Sequence, residues 1–254
     1  TSSPPNENVP INNKGFIQNL EKKIEDVLVK IDNGNIFKTI IDFVFKAFSY
    51  IFLIFGTLSC VINIFGDDGY FSRFDYLDGI HKFTAVVGFL LGLVVCLLVI
   101  YIVFRIISNR SQQLKSKTYD GILNYIFIKT VPVLLVTFGE ILSLLILTVG
   151  LLFVFANLLG SMVYFPLSDI SNTLSDILDL GIASGNTQIF LPGNWDYFSE
   201  GMKMSVGIMI VSPIILIAVY VAREVYFYVY KLVVNLIKFL PKFAIPLAIR
   251  KRNE

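Results

Sequence analysis

The sequence predicts an all-α, polytopic membrane protein with four transmembrane helices arranged as two hairpins and with interfacial amphipathic helices. Apolar residues make up 55% of the 254-residue chain, whereas a soluble domain of this length is about 45–50% apolar. The apolar runs are about 20 residues long, which suits helices that cross a hydrocarbon core of about 30 Å. They lack the short-period alternation of outer-membrane strands. Because only helices or closed barrels satisfy every backbone group in lipid, a helical bundle follows.

Two segments precede the first predicted crossing. Residues 1–15 are rich in Pro, Asn and Ser, a composition that predicts a disordered or extended tail. Over residues 16–32 apolar side chains recur at helical spacing opposite charged ones, which predicts an amphipathic helix. Its basic and acidic residues cancel, so its attraction to anionic lipid is weak. We therefore expect it to rest either on the membrane or on protein.

The membrane domain is predicted over residues 36–238. Its four crossings are expected near residues 47–65, 83–104, 131–158 and 204–222. Charged and aromatic residues that bracket these runs are candidate interfacial anchors, because such side chains favour the headgroup level. The anchors are Lys46, Arg105, Trp195, Tyr197 and Arg223.

The third apolar stretch is too long for one crossing, since it runs from residue 121 to residue 167. Pro132 lacks an amide proton and is tolerated in the first turn of a helix, so we place a break there. Residues 119–129 then form an interfacial segment. The outer loop 159–203 follows the third crossing, and we expect a short amphipathic helix near residues 168–180.

The C-terminal part follows the fourth crossing. Residues 225–240 are predicted to form an aromatic, basic, interfacial helix. We expect it to stop at Pro241, because proline cannot donate the next backbone hydrogen bond. Residues 239–254 are predicted to be a basic cytoplasmic tail.

The distribution of Lys and Arg predicts the orientation. Six lie in residues 1–46, five in 105–130 and seven in 223–254, against two in 66–82 and one in 159–203. Cytoplasmic segments carry such an excess, so both termini are predicted to be cytoplasmic. Low charge and abundant Ile, Phe, Asn and Lys indicate an AT-rich bacterial gene, so we expect a multi-pass protein of the bacterial plasma (inner) membrane.

Small residues mark candidate helix-packing faces. Ala85, Gly88 and Gly92 form a small-xxx-small row in the second crossing. Such a row lets another helix approach closely. Gly139 and Ser143 in the third crossing are further candidates for close packing.

The sequence contains no group of residues typical of a catalytic or cofactor-binding site. His81 is the one histidine, and the spacing of Cys60 and Cys96 puts them roughly 10 Å apart in depth, too far for a disulfide. We predict no catalytic residue, no metal site and no cofactor, because no phosphate loop or ligand cluster occurs. The basic segments follow the topology, so we predict no nucleic-acid partner.

Glu140 is the intramembrane polar candidate. It falls nine residues into the third predicted crossing, about 14 Å deep. A carboxylate at this depth costs at least about 2.5–3.5 kcal/mol, so something must offset it. Protonation with a hydrogen bond is one possibility, and the candidate partners are Thr137, Ser143 and Ser212. An ion pair with Lys46, with Arg223 or with a second protein is another, and an aqueous path for protons or a cation is the third.

Three functions remain open from the sequence. The first is a non-catalytic integral membrane subunit, or an accessory or scaffold protein, that binds other membrane proteins as a hetero- or homo-oligomer within the lipid bilayer. The alternative is a small proton or cation transporter or channel that uses Glu140. An enzyme that acts on lipid is least favoured, since no nucleophile and base pair is evident. Because Glu140 has no obvious partner at its own depth, we expect its partner on a neighbouring protein.

Overall fold

The fold is an all-α membrane bundle, as the sequence predicts. The computed structural model describes residues 22–25, 28–29, 34–65, 69–119, 121–166 and 190–250. In this part of the chain four helices are long and apolar enough to cross a membrane. They are α1 (Asn35–Phe65), α2 (Gly79–Ser116), α3 (Ile122–Leu159) and α4 (Phe198–Arg250).

Several predicted segments lie partly or wholly outside the described residues. Residues 22–25 and 28–29 are helical, and the rest of the predicted 16–32 helix is not described. The tail 1–15, the predicted helix at 168–180 and residues 251–254 also lie outside the described residues. These expectations stay predictions.

Each helix is longer than the crossing predicted for it. α1 begins at Asn35 rather than near residue 47, and α2 continues past Arg105 to Ser116. The α2 helix has 38 residues, which corresponds to about 57 Å. The basic residues 109–117, which follow the predicted second crossing, are therefore largely helical and belong to the bundle.

Pro132 does not break the third helix. Ile122–Asn124 is α-helical, Tyr125–Thr130 is a π-helix and Val131–Leu159 is α-helical, without an intervening loop. Pro132 removes one donor and its ring crowds the preceding turn. The wider π turn accommodates this crowding, and Thr130 Oγ1 donates to the Tyr125 carbonyl oxygen at 3.0 Å. The predicted break is thus wrong and is replaced by a change of register within one helix. The interfacial position of residues 119–129 stays a prediction.

Pro241 also fails to end its helix. α4 runs for 53 residues from Phe198 to Arg250, whereas a stop at Pro241 was expected. Proline in a helix interior removes one hydrogen bond and bends the helix, and the flanking turns can continue it. The predicted fourth crossing and the predicted C-terminal helix are therefore one element about 80 Å long.

Helices that follow one another in the chain pack together. α1 packs mainly against α2, α3 packs mainly against α4, and α2 contacts α3 in the middle. α1 and α4 are the edge helices, since the most apolar window of each is 17% buried, against 50% for α3. The arrangement as two hairpins about a bilayer stays a prediction.

The seam between α3 and α4 is built from small polar residues. Ser143 Oγ donates to the Ser212 carbonyl oxygen at 3.0 Å, and Ser212 Oγ donates to the Ser143 carbonyl oxygen at 2.8 Å. At Gly139 an added Cβ would lie 2.5 Å from Val219 side-chain carbons. Ser143 and Gly139 thus lie where the two helix backbones come close, and such close approach with hydrogen bonds between helices holds bundles together in lipid.

An extended segment re-enters the bundle after α3. The chain turns at Gly160, which has a φ of 56°, and returns as β1 (Val163–Tyr164). β1 pairs antiparallel with β2 (Phe190–Leu191). Residues 160–166 are buried throughout. The Tyr164 hydroxyl donates to the Cys60 carbonyl oxygen of α1 at 2.7 Å, so this segment lies against both α1 and α2.

The small-residue row of α2 receives this extended segment and not a helix. A Cβ added at Gly88 would lie 2.4 Å from the Met162 carbonyl oxygen, and one added at Gly92 would lie 2.0 Å from that of Tyr164. Ala85 is fully buried beside them. The predicted close approach therefore occurs, but the expectation of a packed helix is wrong because an extended backbone fills the groove. Non-helical backbone is tolerated at membrane depth when protein buries it.

We predict that Gly92→Ala destabilises the protein while Gly207→Ala does not. The new methyl group at residue 92 collides with backbone, and overpacking typically costs about 1–3 kcal/mol. Gly207 has nothing within 4 Å of its added Cβ, so alanine there should be neutral or stabilising by up to about 1 kcal/mol. Thermal unfolding in detergent measures both variants. Equal melting temperatures for the two variants would contradict the close packing at Gly92.

Candidate functional site: an ion pair between three helices

Glu140 is held by partners within its own chain. The Arg110 guanidinium of α2 forms a two-pronged ion pair with it. Arg110 Nη2 contacts Glu140 Oε1, and Arg110 Nε donates to Glu140 Oε2 at 3.3 Å. The Tyr220 hydroxyl of α4 donates to Glu140 Oε1 at 3.1 Å. One carboxylate therefore joins α2, α3 and α4.

The expectation that Glu140 finds its partner on a neighbouring protein is corrected by this geometry. Arg110 lies beyond the predicted end of the second crossing at residue 104, whereas α2 continues through it to Ser116. Its long side chain can reach along the bundle from there, as long basic side chains do near helix ends. The side chains of Arg110 and Glu140 are 23% and 18% exposed, so the pair is shielded from solvent on most sides.

The partners proposed for Glu140 bind elsewhere. Lys46 pairs with Asp42 at 2.9 Å, and the Arg223 guanidinium lies 5.6 Å from the centre of the Phe227 ring. Thr137 Oγ1 donates to a backbone carbonyl of its own helix. Ser143 and Ser212 bond each other. Each candidate side chain is thus engaged in another contact.

A second buried carboxylate joins α1 to α2. Asp42 is 6% exposed and accepts a short hydrogen bond from Ser111 Oγ. Lys46 Nζ lies 2.9 Å and Lys115 Nζ 3.5 Å from Asp42 Oδ2. A buried charge needs partners of this kind, because losing water is costly.

Both carboxylates contact α2 near its C-terminal end. The end of the bundle that contains Asp42, Arg110, Ser111 and Glu140 is called the basic end. Arg110 contacts Glu140 of α3, and the next residue, Ser111, contacts Asp42 of α1. Consecutive residues of a helix point about 100° apart, so adjacent positions can serve two neighbours. The part of α2 beyond Phe104 therefore supplies polar contacts that join α2 to both α1 and α3.

The opposite end of the bundle contains a cluster of aromatic side chains around Tyr70. Tyr70, in the 3-10 helix Tyr70–Tyr76, is fully buried. Its hydroxyl lies 2.9 Å from the Ala85 carbonyl oxygen and 2.8 Å from that of Met162. Burial raises the pKa of Tyr70, so it remains a hydrogen-bond donor at physiological pH. This side chain thereby fixes the re-entrant segment to α2.

The predicted anchors occupy different positions. Trp195 is 47% exposed, packs against Gly160 and lies 5.4 Å from the His81 ring between centroids. Tyr197 is 65% exposed, and Arg105 is exposed within α2. These exposed side chains suit contacts with headgroups or solvent.

The sequence pattern did not predict Arg110, Tyr220, Asp42 or Ser111 as parts of a site. A signal was present, since helical periodicity extended past Arg105 would have carried basic and hydroxyl side chains onto the buried faces of α2. Within the described residues no group of three His, Cys, Asp or Glu side chains could hold a metal ion. The ion pairs of Glu140 and Asp42 can hold the helices together electrostatically.

We predict that Arg110→Gln and Glu140→Gln each destabilise the bundle. Breaking a buried pair leaves a charge without its partner, which costs about 3–5 kcal/mol for fully buried pairs, and we expect the lower part of this range because Arg110 and Glu140 are partly exposed. The double variant should recover much of the loss, since no lone charge remains. Arg105→Gln is the control, because it removes the same side chain from an exposed position of the same helix. Its removal should cost less than about 1 kcal/mol.

The measurement is reversible unfolding in detergent for all four variants. Strictly additive losses in the double variant would contradict direct coupling between Arg110 and Glu140.

Comparison with known proteins assigns no family to this chain. No protein-family model, no curated protein and no solved structure matches it.

Proposed function

We propose that this chain is a non-catalytic integral membrane subunit, or an accessory or scaffold protein, of a larger membrane complex. The proposed location is the plasma (inner) membrane of a bacterium, with both termini in the cytoplasm. The excess of Lys and Arg in the segments at the basic end supports this orientation. The partners would be other membrane proteins or further copies of the chain.

The observation that carries this proposal is an apolar stripe on the C-terminal half of α4. A hydrocarbon core needs about 20 helical residues, and α4 has 53. Beyond the predicted crossing, exposed apolar side chains recur at spacings of four, three and four residues. They are Val225, Val229, Leu232 and Leu236, which are 54%, 55%, 65% and 57% exposed.

The stripe faces away from the bundle. Tyr226 donates through its hydroxyl to the Phe127 carbonyl oxygen at 2.9 Å, and Tyr230 donates to Asn124 Oδ1 at 3.1 Å. At about 100° per residue, Tyr226 and Tyr230 lie about 90° and about 130° around the helix from the centre of the stripe. The spacing of the stripe is that of a helix-docking seam, so a helix of a partner fits it.

We predict that the chain extracted in mild detergent migrates as a complex in native electrophoresis and that Leu232→Glu dissociates it. A charge in the centre of an apolar interface is left unpaired, which disfavours association. Asn235→Glu is the matched control. It adds the same charge at an exposed residue that lies about 90° around the helix from the centre of the stripe. Migration of the parent chain as a monomer, or equal dissociation of the complex by both variants, would contradict this proposal.

The alternative, transport of protons or a cation through Glu140, has less support. Its carboxylate is engaged by Arg110 and Tyr220. A carrier group must exchange partners during a transport cycle, whereas these contacts favour one neutralised arrangement.

We predict that proteoliposomes containing the chain show no proton flux above empty liposomes, and that Glu140→Gln leaves flux unchanged. Flux is followed with a pH-sensitive dye under an imposed potential. A flux present in the parent and abolished in Glu140→Gln would instead establish the transport function.

A further inference from the structure

The apolar stripe of α4 continues toward the N-terminal half of the helix. Ala218 and Ala222 precede Val225 by seven and three residues, and both are exposed. Together with the four residues of the stripe, they occupy the first and fourth positions of a seven-residue repeat without a gap. These six residues, called the α4 seam below, extend over about 27 Å of helix.

The repeat in the α4 seam suits a second helix that runs in the same direction. A seven-residue apolar repeat is the pattern by which two helices pack along their length. Copies of one chain insert into a membrane with the same orientation, because the same distribution of Lys and Arg orients each of them. A two-fold axis along the membrane normal then brings each seam residue opposite the same residue of the other copy. Two copies of the chain therefore pair in register.

The side chains of the seam increase in size along the helix. Two alanines are followed by two valines and then by two leucines. In a parallel pair of copies, side chains of equal size meet, so the two helix axes separate gradually from about 8 Å to about 10 Å. Both values are normal for packed helices. The alanines lie in the predicted fourth crossing, where small residues let two helices come close in lipid.

The distribution of charge on α4 permits the pairing of two copies. In such a pair each charged residue near the interface would meet its own counterpart and repel it. Arg223, Glu224 and Lys231 lie about 110–150° around the helix from the centre of the stripe, and so point away from the interface. The residues that flank the stripe on either side are uncharged. They are Tyr226, Tyr228, Val233 and Asn235.

The same uncharged flanks argue against a dedicated partner of another sequence. Charged residues beside an apolar seam direct a helix to a different partner, because they repel its own copy. The flanks of the α4 stripe contain no such residue. The second copy is therefore the occupant that the seam accepts without any change in sequence.

We propose that the α4 seam binds the α4 seam of a second copy of this chain, in a parallel dimer with two-fold symmetry. This inference rests on the proposed function and names its partner. α4 is an edge helix of the bundle, and its contacts with α3 through Tyr226 and Tyr230 lie outside the seam. Two bundles can therefore meet along α4 without rearranging their own helices.

Disulfide trapping in membrane vesicles tests the register of the dimer. Val225→Cys and Leu232→Cys each place a thiol on the seam, and the full chain is treated with a mild oxidant before denaturing electrophoresis. In a parallel dimer the two copies of a seam residue face each other at the Cα separation that a disulfide needs, about 4.4–6.8 Å. Both variants should therefore give a covalent product of twice the mass of the chain.

Lys231→Cys is the matched control. Residue 231 is exposed and lies about 130° around the helix from the centre of the stripe. It should give no more covalent dimer than the parent chain, whose Cys60 and Cys96 are buried. Equal yields from Lys231→Cys and Leu232→Cys would overturn the proposal, as would the absence of covalent dimer from both seam variants.

Native mass spectrometry of the detergent-extracted parent chain separates this inference from the proposed function. The expected mass is that of two copies of the chain. A complex that contains another protein and one copy of this chain would overturn the dimer and leave the membrane-subunit proposal standing. A monomer would contradict both.

Discussion

Polar groups inside an apolar medium must find partners within the protein, and this constraint organises the whole bundle. Polar side chains accordingly connect the helices at a few defined positions. Arg110, Glu140 and Tyr220 join three helices, while Ser143 and Ser212 bond α3 to α4 in both directions. In the described part of the chain, no buried side-chain nitrogen or oxygen lacks a partner. Apolar packing alone discriminates poorly between helices in lipid, so these contacts select the arrangement.

The same constraint explains the re-entrant segment. An extended backbone cannot satisfy itself as a helix does, so it must lie against groups that accept or donate. The Pro166 carbonyl oxygen accepts from Ser59 Oγ at 3.2 Å, and the Tyr164 side chain reaches α1. Gly88 and Gly92 of α2 lack the side chains that would keep this backbone out. The segment therefore replaces a helix as the element that fills the space between α1 and α2.

The two ends of the molecule have different chemistry. One end is closed by buried aromatic residues around Tyr70, and the other collects cations around two carboxylates. The paired carboxylates stabilise the helix arrangement at that end.

The sequence by itself determined the fold class and the four apolar helices. The length and composition of an apolar segment are local properties, and they decide whether the segment can span a bilayer. It also determined that another part of the backbone can come close to α2 at its small residues. Only the tertiary structure decided what approaches them, and only it brought Arg110 to Glu140, since those residues lie on different helices and 30 residues apart in the chain. Local patterns also misplaced the helix ends at Arg105, Pro132 and Pro241. A charge or a proline is tolerated in a helix when neighbouring elements satisfy its polar groups, and those neighbours are known only after folding.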